Sequence, residues 1–406
     1  MEIIEEVKYH FKKVRDYVLF RTFWMGKQKC KIKPVSKTIL VIRIDAIGDC
    51  IIWLDQAKVY RKTYPSHRLV LLHNKVWADI AERLPWFDEY IPFDRSKICE
   101  RKYYKEILST LNKYTYEKVY SPVFSRDFFT VDWIVHNVHA IEKIGYEGDY
   151  QNNHALAVLN LYCRNNTNSL ELKRIADKWY STLILNDDRC VMELQRNTYF
   201  VQKTLDDKFR SQLPSIPFTI PRLDNLIKQK YTILFLGAST PSRIWPVEYF
   251  VRVTDSIPQQ VIYLCGSETD KTYGLKFIDL YNGGKTIINM IGKTTLLDLI
   301  SIISNAELII TNETSACHIA VATRTQSICL LGGGHYGRFQ PYIVDYIPEQ
   351  DVSILPIIVT ADDHSCFSCD WHCKYHIQND CWKCIDNIQV EDVISAIKQI
   401  WNPLSQ

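Results

Sequence analysis

Two carboxylates in one strand-to-helix turn are the first residues of this chain placed to do chemistry. They are Asp45 and Asp49, within the stretch Thr38 to Ile52, TILVIRIDAIGDCII. The run Ile39 to Ile42 has the unbroken β-branched pattern of a strand buried on both faces of a parallel sheet. A polar turn, Arg43 to Asp49, follows it. Gly48 is read as letting the backbone turn sharply, and the apolar run from Cys50 opens a helix. Open α/β sheets bind ligands at the carboxyl ends of their strands. A carboxylate at a helix start there can serve as a base, whereas a bare glycine loop would hold phosphate. Asp49 can equally cap the helix, and the turn alone leaves both readings open.

A second set of polar residues gathers at predicted strand ends in the other half. After YTILFL comes GASTPSRIWP, with Arg243 among small residues. After QVIYLC comes GSETD, with Glu268 and Asp270. After ELIIT comes NETSACHIA, in which Thr314 and Ser315 open a helix and His318 lies one turn inside it. Free backbone N–H groups at such a helix start, with hydroxyls nearby, can hold a diphosphate. A carboxylate such as Asp270 or Glu313 can hold ribose hydroxyls. Gly332 to Gly334 permits close approach of backbone to a ligand. Ser267 and Thr295 are read as helix caps.

These residues need strands and helices in alternation to position them, and the sequence supplies it. From Thr38, apolar runs at 38–43, 68–72, 90–93 and 118–120 alternate with helical stretches, and 171–213 reads as largely helical. A second series opens at Tyr231, with further strands at 260–265, 307–311 and 327–331. The order predicts two parallel α/β units, before and after about residue 220, with a cleft between them.

Near the C-terminus, Cys366, Cys369, Cys373, Cys381 and Cys384 include two CxxC pairs, with His364, His372 and His376 interspersed. Four thiolates, from Cys366, Cys369, Cys381 and Cys384, have the donor set of a tetrahedral structural zinc site. Reduced thiols or a disulfide are the competing readings. The other eight of the 13 cysteines are scattered, as buried thiols would be.

The bulk numbers exclude several classes. At 406 residues, with 47% hydrophobic and 23% charged residues, the chain predicts a folded protein of more than one domain. No apolar run reaches 18 residues and no secretory segment opens the chain, so a cytoplasmic protein is expected. Residues 1–36 hold nine lysines and arginines against four acids, +5; with +3 overall, the remainder carries −2 and does not suggest nucleic-acid binding. Within that basic segment Ile4, Val7, Phe11, Val14 and Val18 repeat at helical spacing, with Phe20, Phe23 and Trp24 following. Such a helix suits an anionic membrane surface or the protein's own core.

Taken in order, these segments resemble the family 9 glycosyltransferases, which include the ADP-heptose:lipopolysaccharide heptosyltransferases. ILVIRIDAIGDCIIWLDQAKVYRKTYPSHRLVLL resembles the family's opening strand, loop and helix. YTILFLGASTPSRIWPVEYF resembles its second-domain opening, with a basic residue before Trp-Pro, and LIITNETSACHIAVA its Asn-Asp-Thr-Gly-x-x-His segment. The resemblance runs from about Thr38 to Ile397, with weaker matches at KIGYEGD and MELQRN.

The resemblance implies the GT-B architecture: two Rossmann-like α/β domains facing across a cleft. Residues 1–36 would form the basic helix, 37–215 the acceptor-binding domain, and 216–406 the nucleotide-sugar-binding domain with its Cys-rich segment 364–384. It implies inverting, metal-independent transfer of a sugar, heptose by default, from a donor such as ADP-heptose to a lipid-linked glycan. Asp49 would be the base, with Asp45 and Gly48 supporting it on the acceptor side. Arg243 would hold the diphosphate; Glu313, Thr314, Ser315 and His318 the nucleotide; Asp270 or Glu268 the ribose. Glu313 stands where the family has aspartate and Ser315 where it has glycine. No cofactor is needed for that chemistry, and a surface contact with the cytoplasmic face of the inner membrane would suit such an acceptor. The rival readings are a nucleotide-sugar epimerase and a non-catalytic nucleotide-sugar-binding scaffold on the same fold.

Overall fold

The computed structural model describes residues 26, 33–98, 100–150, 169–223, 229–345, 347, 352–363, 365–377 and 379–401. The amphipathic stretch expected near the N-terminus therefore lies outside the described residues, as does His364.

The chain divides into two compact units. One holds the described residues up to Ala46, with Lys58–Arg189 and Phe200–Asp207; the other holds Ile47–Ala57, Cys190–Tyr199 and those from Lys208 on. Each is built on a six-stranded sheet whose strand pairs are all parallel.

In the first unit the strands are β1 (Thr38–Arg43), β2 (Arg68–Asn74), β3 (Glu89–Phe93), β4 (Tyr116–Ser121), β5 (Ala140–Tyr146) and β6 (Thr182–Ile184). Helix α1 (Ile47–Thr63), whose Ile47–Ala57 part belongs to the second unit, follows β1, α2 (Arg101–Leu111) precedes β4, and α3 (Ser169–Asp177) precedes β6. The strand order is β3-β2-β1-β4-β5-β6. All six residues of β1 are buried, because a central parallel strand is covered by helices on both faces. Leu40, Ile42, Val70 and Leu72 form one side of the core with Phe93, Tyr104 and Trp133. Arg126 is wholly buried there and is neutralised by Asp132, 3.0 Å from Nε, and Asp177, 2.7 Å from Nη1.

Helix α4 (Glu193–Thr204) follows β6. The stretch 171–213 is therefore not largely helical: Thr182–Ile184 pairs with Ile144–Tyr146 at the sheet edge. Three residues are too few to show a period, so tertiary pairing decides their conformation.

The second unit repeats the plan. Its strands are β7 (Tyr231–Phe235), β8 (Val261–Cys265), β9 (Thr286–Asn289), β10 (Leu308–Asn312), β11 (Ser327–Leu330) and β12 (Ile357–Val359). Helices α5 (Val247–Thr254), α6 (Lys271–Leu280), α7 (Leu296–Ser304) and α8 (Ser315–Thr323) alternate with the first five, and α9 (Val390–Trp401) closes the unit. The order β12-β11-β10-β7-β8-β9, read from its other edge, has the same connectivity as the first sheet. In such a doubly wound sheet the order reverses between the first and fourth strands, and a crevice opens beyond their carboxyl ends. Here those strands are β7 and β10. The caps expected at Ser267 and Thr295 are present: each forms a capping box with the aspartate three residues on, Asp270 and Asp298. Among the described residues, no helix is long and apolar enough to cross a membrane.

Candidate active site

The second unit's crevice is lined by the two loops that leave β7 and β10. Asn312, the last residue of β10, ties them together. Its side-chain amide donates to Leu236 O at 2.9 Å and Gly237 O at 3.2 Å, and its oxygen accepts the Trp245 N–H at 3.0 Å. The β7 loop turns through a single 3-10 turn, Pro241–Arg243, before the buried Trp245 and the helix behind Pro246. On the other side Glu313 and Thr314 lead into α8. Thr314 is its cap, its hydroxyl accepting the Ala316 N–H at 3.3 Å.

Arg243 spans the two loops. Nη1 donates to Ser239 Oγ at 2.9 Å, and Nη2 lies 3.2 Å from Glu313 Oε2. Its guanidinium also lies over the Trp371 ring, 4.4 Å from the centroid. Glu313 is buried, and burial raises its carboxyl pKa despite the opposing pull of Arg243, His335 and Arg338. Among the described residues its Oε1 meets no hydrogen-bond partner. The site is thus a cationic setting around one buried acid.

His318 lies one turn into α8, buried, and shares a 2.8 Å hydrogen bond through Nδ1 with the Tyr342 hydroxyl. Burial lowers its pKa from 6.5 to about 4, so the ring is neutral at physiological pH. A histidine depressed in the folded state takes up a proton first in the unfolded chain. Its share of stability is therefore full above about pH 6.5 and is lost as pH falls toward 4. The loss expected by about pH 5 is roughly 2 kcal/mol relative to neutral pH. His318→Gln should flatten that part of a chemical-denaturation profile; an unchanged slope would assign the titration elsewhere.

The first turn of α1 belongs to the same unit as α8. Gly48 sits against it: a Cβ on Gly48 would stand 3.1 Å from His318 Cδ2 and 3.8 Å from Ser315 Cα. Gly48 is therefore a residue of close approach inside the helix rather than the hinge of a sharp turn. The cap of α1 is Ala46, with no side-chain cap bond, and Asp49 is the third residue of the helix. That removes the reading of Asp49 as the N-cap. Its half-buried carboxylate stands beside the glycine that meets α8.

The remaining candidates are placed differently. Asp45 belongs to the first unit, 3.0 Å from Arg43 Nε, and its carbonyl accepts from Asn74 Nδ2 and Trp77 Nε1. Asp270 is buried beneath the β7 loop, with Oδ2 accepting from the Ser267 N–H and hydroxyl at 2.7 Å each. Glu268 is exposed and pairs with Lys271. Cys366, Cys369, Cys373 and Cys384 line one small cavity, while Cys381 packs in the core with Ile385 and Ile388. The thiols on that cavity thus differ from the two-pair quartet by exchanging Cys381 for Cys373. Among the described residues, no group of three or more His, Cys, Asp or Glu side chains is gathered to hold a metal ion.

Sequence reasoning passed over Asn312, Tyr342, Arg338 and Trp371. Only Asn312 carried a local signal, at the end of a strand opposite a glycine-ended one.

The sequence profile of glycosyltransferase family 9 (heptosyltransferase) matches residues 107–347. The chain belongs to that family. The match takes in Arg243, Glu313 and α8 but neither the Asp49 turn nor the cysteine segment. A stretch of 124 residues is 27% identical to lipopolysaccharide heptosyltransferase 3 of Escherichia coli K12, covering 30% of this chain and 36% of that protein. The chain thus spans about a third of the length of that curated relative. Among solved structures, a family 9 glycosyltransferase from Veillonella parvula is similar at 16% identity and TM-score 0.63, over 92% of this chain and 99% of that one. The E. coli ADP-heptose lipopolysaccharide heptosyltransferase II follows at 14% and 0.61, over 89% and 98%. The E. coli heptosyltransferase WaaC, solved with ADP, follows at 13% and 0.59, over 89% and 99%. These likenesses give this family member the two-domain Rossmann-like GT-B fold.

Proposed function

We propose that this family 9 member transfers a sugar from a nucleoside-diphosphate sugar to a hydroxyl of a lipid-linked surface glycan, with inversion at the anomeric carbon. The observation that carries this is the meeting of two helix starts. The first turn of α1, bearing Asp49, abuts the first turn of α8 at the switch point where Arg243 and Glu313 lie.

The start of α8 brings the positive end of a helix dipole beside Arg243, a setting that favours a diphosphate. Asp49 takes the proton of the acceptor hydroxyl, whose oxygen attacks the anomeric carbon. The bond from that carbon to the diphosphate oxygen breaks, and its electron pair leaves with the diphosphate. Arg243 and the α8 N–H groups stabilise that charge. Asp270 Oδ2 is engaged by Ser267, so in this reading the exposed Glu268 is the ribose partner. The donor segments carry no DxD-type pair, and Arg243 with the start of α8 supplies the charge stabilisation. Heptose on ADP is the default donor, in keeping with the relatives' names. The basic residues 1–36 are assigned a contact with the cytoplasmic face of the inner membrane.

A thermal-shift panel with ADP, UDP, GDP and CMP tests the donor half. A nucleotide at about 100 times its Kd stabilises by about 2.7 kcal/mol, and ADP is expected to raise the melting temperature most. A panel in which no nucleotide moves the melting temperature would overturn the reading.

A further inference from the structure

Resting on that reading of Arg243, we infer that the cysteine-rich segment is a clamp that sets the diphosphate-binding arginine, with Trp371 as its positioning residue. The segment lies outside the residues matched by the family profile.

It grips the Arg243 turn at two points. Arg243 Cζ lies over the Trp371 ring, 4.4 Å from its centroid, and the Trp382 N–H donates to Ser242 O at 2.9 Å. The guanidinium is thus held over the ring by a cation–π contact and the backbone beside it by a hydrogen bond, while its N–H groups serve polar partners. Trp371 is not there as a donor: among the described residues its buried Nε1 meets no partner. Its ring face makes the contact.

The segment is seated for this purpose on Gly332–Gly334. A Cβ at Gly334 would come within 2.2 Å of Trp371 Cδ2, one at Gly332 within 2.8 Å of its Cη2, and one at Gly333 within 2.4 Å of Phe367 Cδ1. Any side chain there would push the two rings out. The backbones are stitched together: Ser368 N donates to Gly333 O at 2.7 Å, Asp370 N to Gly334 O at 2.8 Å, and Gly333 N to Cys384 Sγ at 3.3 Å. Asp370 is pinned in turn by His335 at 3.0 Å and by Arg338 at 3.7 Å. Ser368, Asp370 and Trp371 have φ of +63°, +50° and +62°. Three side-chain-bearing residues in the left-handed region persist only where their surroundings over-determine them, and such conformations collect at ligand clamps.

The test is titration calorimetry with ADP and with adenosine, which lacks the diphosphate. Trp371→Ala is expected to weaken ADP about 5–30-fold, the range between an exposed and a desolvated cation–π contact, and to leave adenosine within about twofold. Trp371→Phe, which keeps a ring face, should recover most of the loss. In an Arg243→Ala background, Trp371→Ala should change ADP binding by less than about twofold. Equal losses for ADP and adenosine, or an undiminished loss without Arg243, would overturn the clamp. Should the wild-type protein bind neither ligand, the donor reading fails by itself. The clamp is then read from melting temperatures, where positioning requires non-additive losses for Trp371→Ala and Arg243→Ala, and additive losses would end it.

Discussion

Asp49→Asn is expected to lower turnover by about 10²–10⁴-fold, the usual contribution of a positioned general base. That is roughly 3–5 kcal/mol of barrier at about 1.4 kcal/mol per tenfold. The amide has nearly the shape of the carboxylate but cannot take the acceptor proton, so the loss should fall on kcat. Asp49 is neither the cap of α1 nor part of its buried run, and the fold should tolerate the change. Nucleotide affinity should stay within about threefold, because the donor contacts of this account lie on Arg243 and α8. Parallel steady-state kinetics and calorimetry check both halves. A variant with near wild-type turnover would remove Asp49 from the role, and one that loses nucleotide binding instead would make it a donor residue.

Arg243→Ala should cost about 10²–10³-fold in kcat/KM for the donor, the range seen when one preorganised donor to developing charge is lost. Arg243→Lys should recover little. An ammonium keeps the charge but has neither the planar fork that bridges Ser239 and Glu313 nor a face to lie on Trp371. Arg243 also opposes the burial of Glu313, whose pKa is already raised. Without the arginine, Glu313 should take a proton more readily instead of remaining a buried unpaired charge. The Arg243→Ala, Glu313→Gln double variant should therefore match or exceed the stability of Arg243→Ala while staying as inactive. Kinetics and melting measured on the same four proteins separate the two effects. Full activity in Arg243→Lys would contradict the need for a planar guanidinium at this position.

The parts of this fold that show in the sequence are those with long apolar runs. TILVIR and YTILFL read as buried parallel strands because helices cover both faces, leaving no polar alternation. The two capping boxes were legible as Ser-x-x-Asp and Thr-x-x-Asp. The edge strands Thr182–Ile184 and Ile357–Val359 were not: three residues have no period, and pairing alone makes them strands.

The site divides in the same way. Arg243, Thr314 and His318 stand where a strand end or helix start puts them, so local pattern finds them. Gly48 carries its sequence signal for a different reason, since what it meets closely is His318, 270 positions away in the chain. Trp371 reads as one more aromatic in a cysteine-rich loop. Its partner Arg243 and its glycine seat are both distant in sequence, and no local spacing reveals such a contact. Cys373 and Cys381 exchange places for a similar reason, because the core around Ile385 and Ile388 takes up Cys381.

Acceptor-dependent glycosyl transfer with Asp49 as base is open to product analysis. Purified protein would be incubated with ADP-heptose and a lipid-linked glycan acceptor, and released ADP and the anomeric configuration of the product measured for wild type and Asp49→Asn. The expected result is ADP release that requires acceptor, a product inverted at the anomeric carbon, and a fall of at least about 10²-fold in the variant. ADP release indifferent to Asp49, or a product with retained configuration, would contradict it.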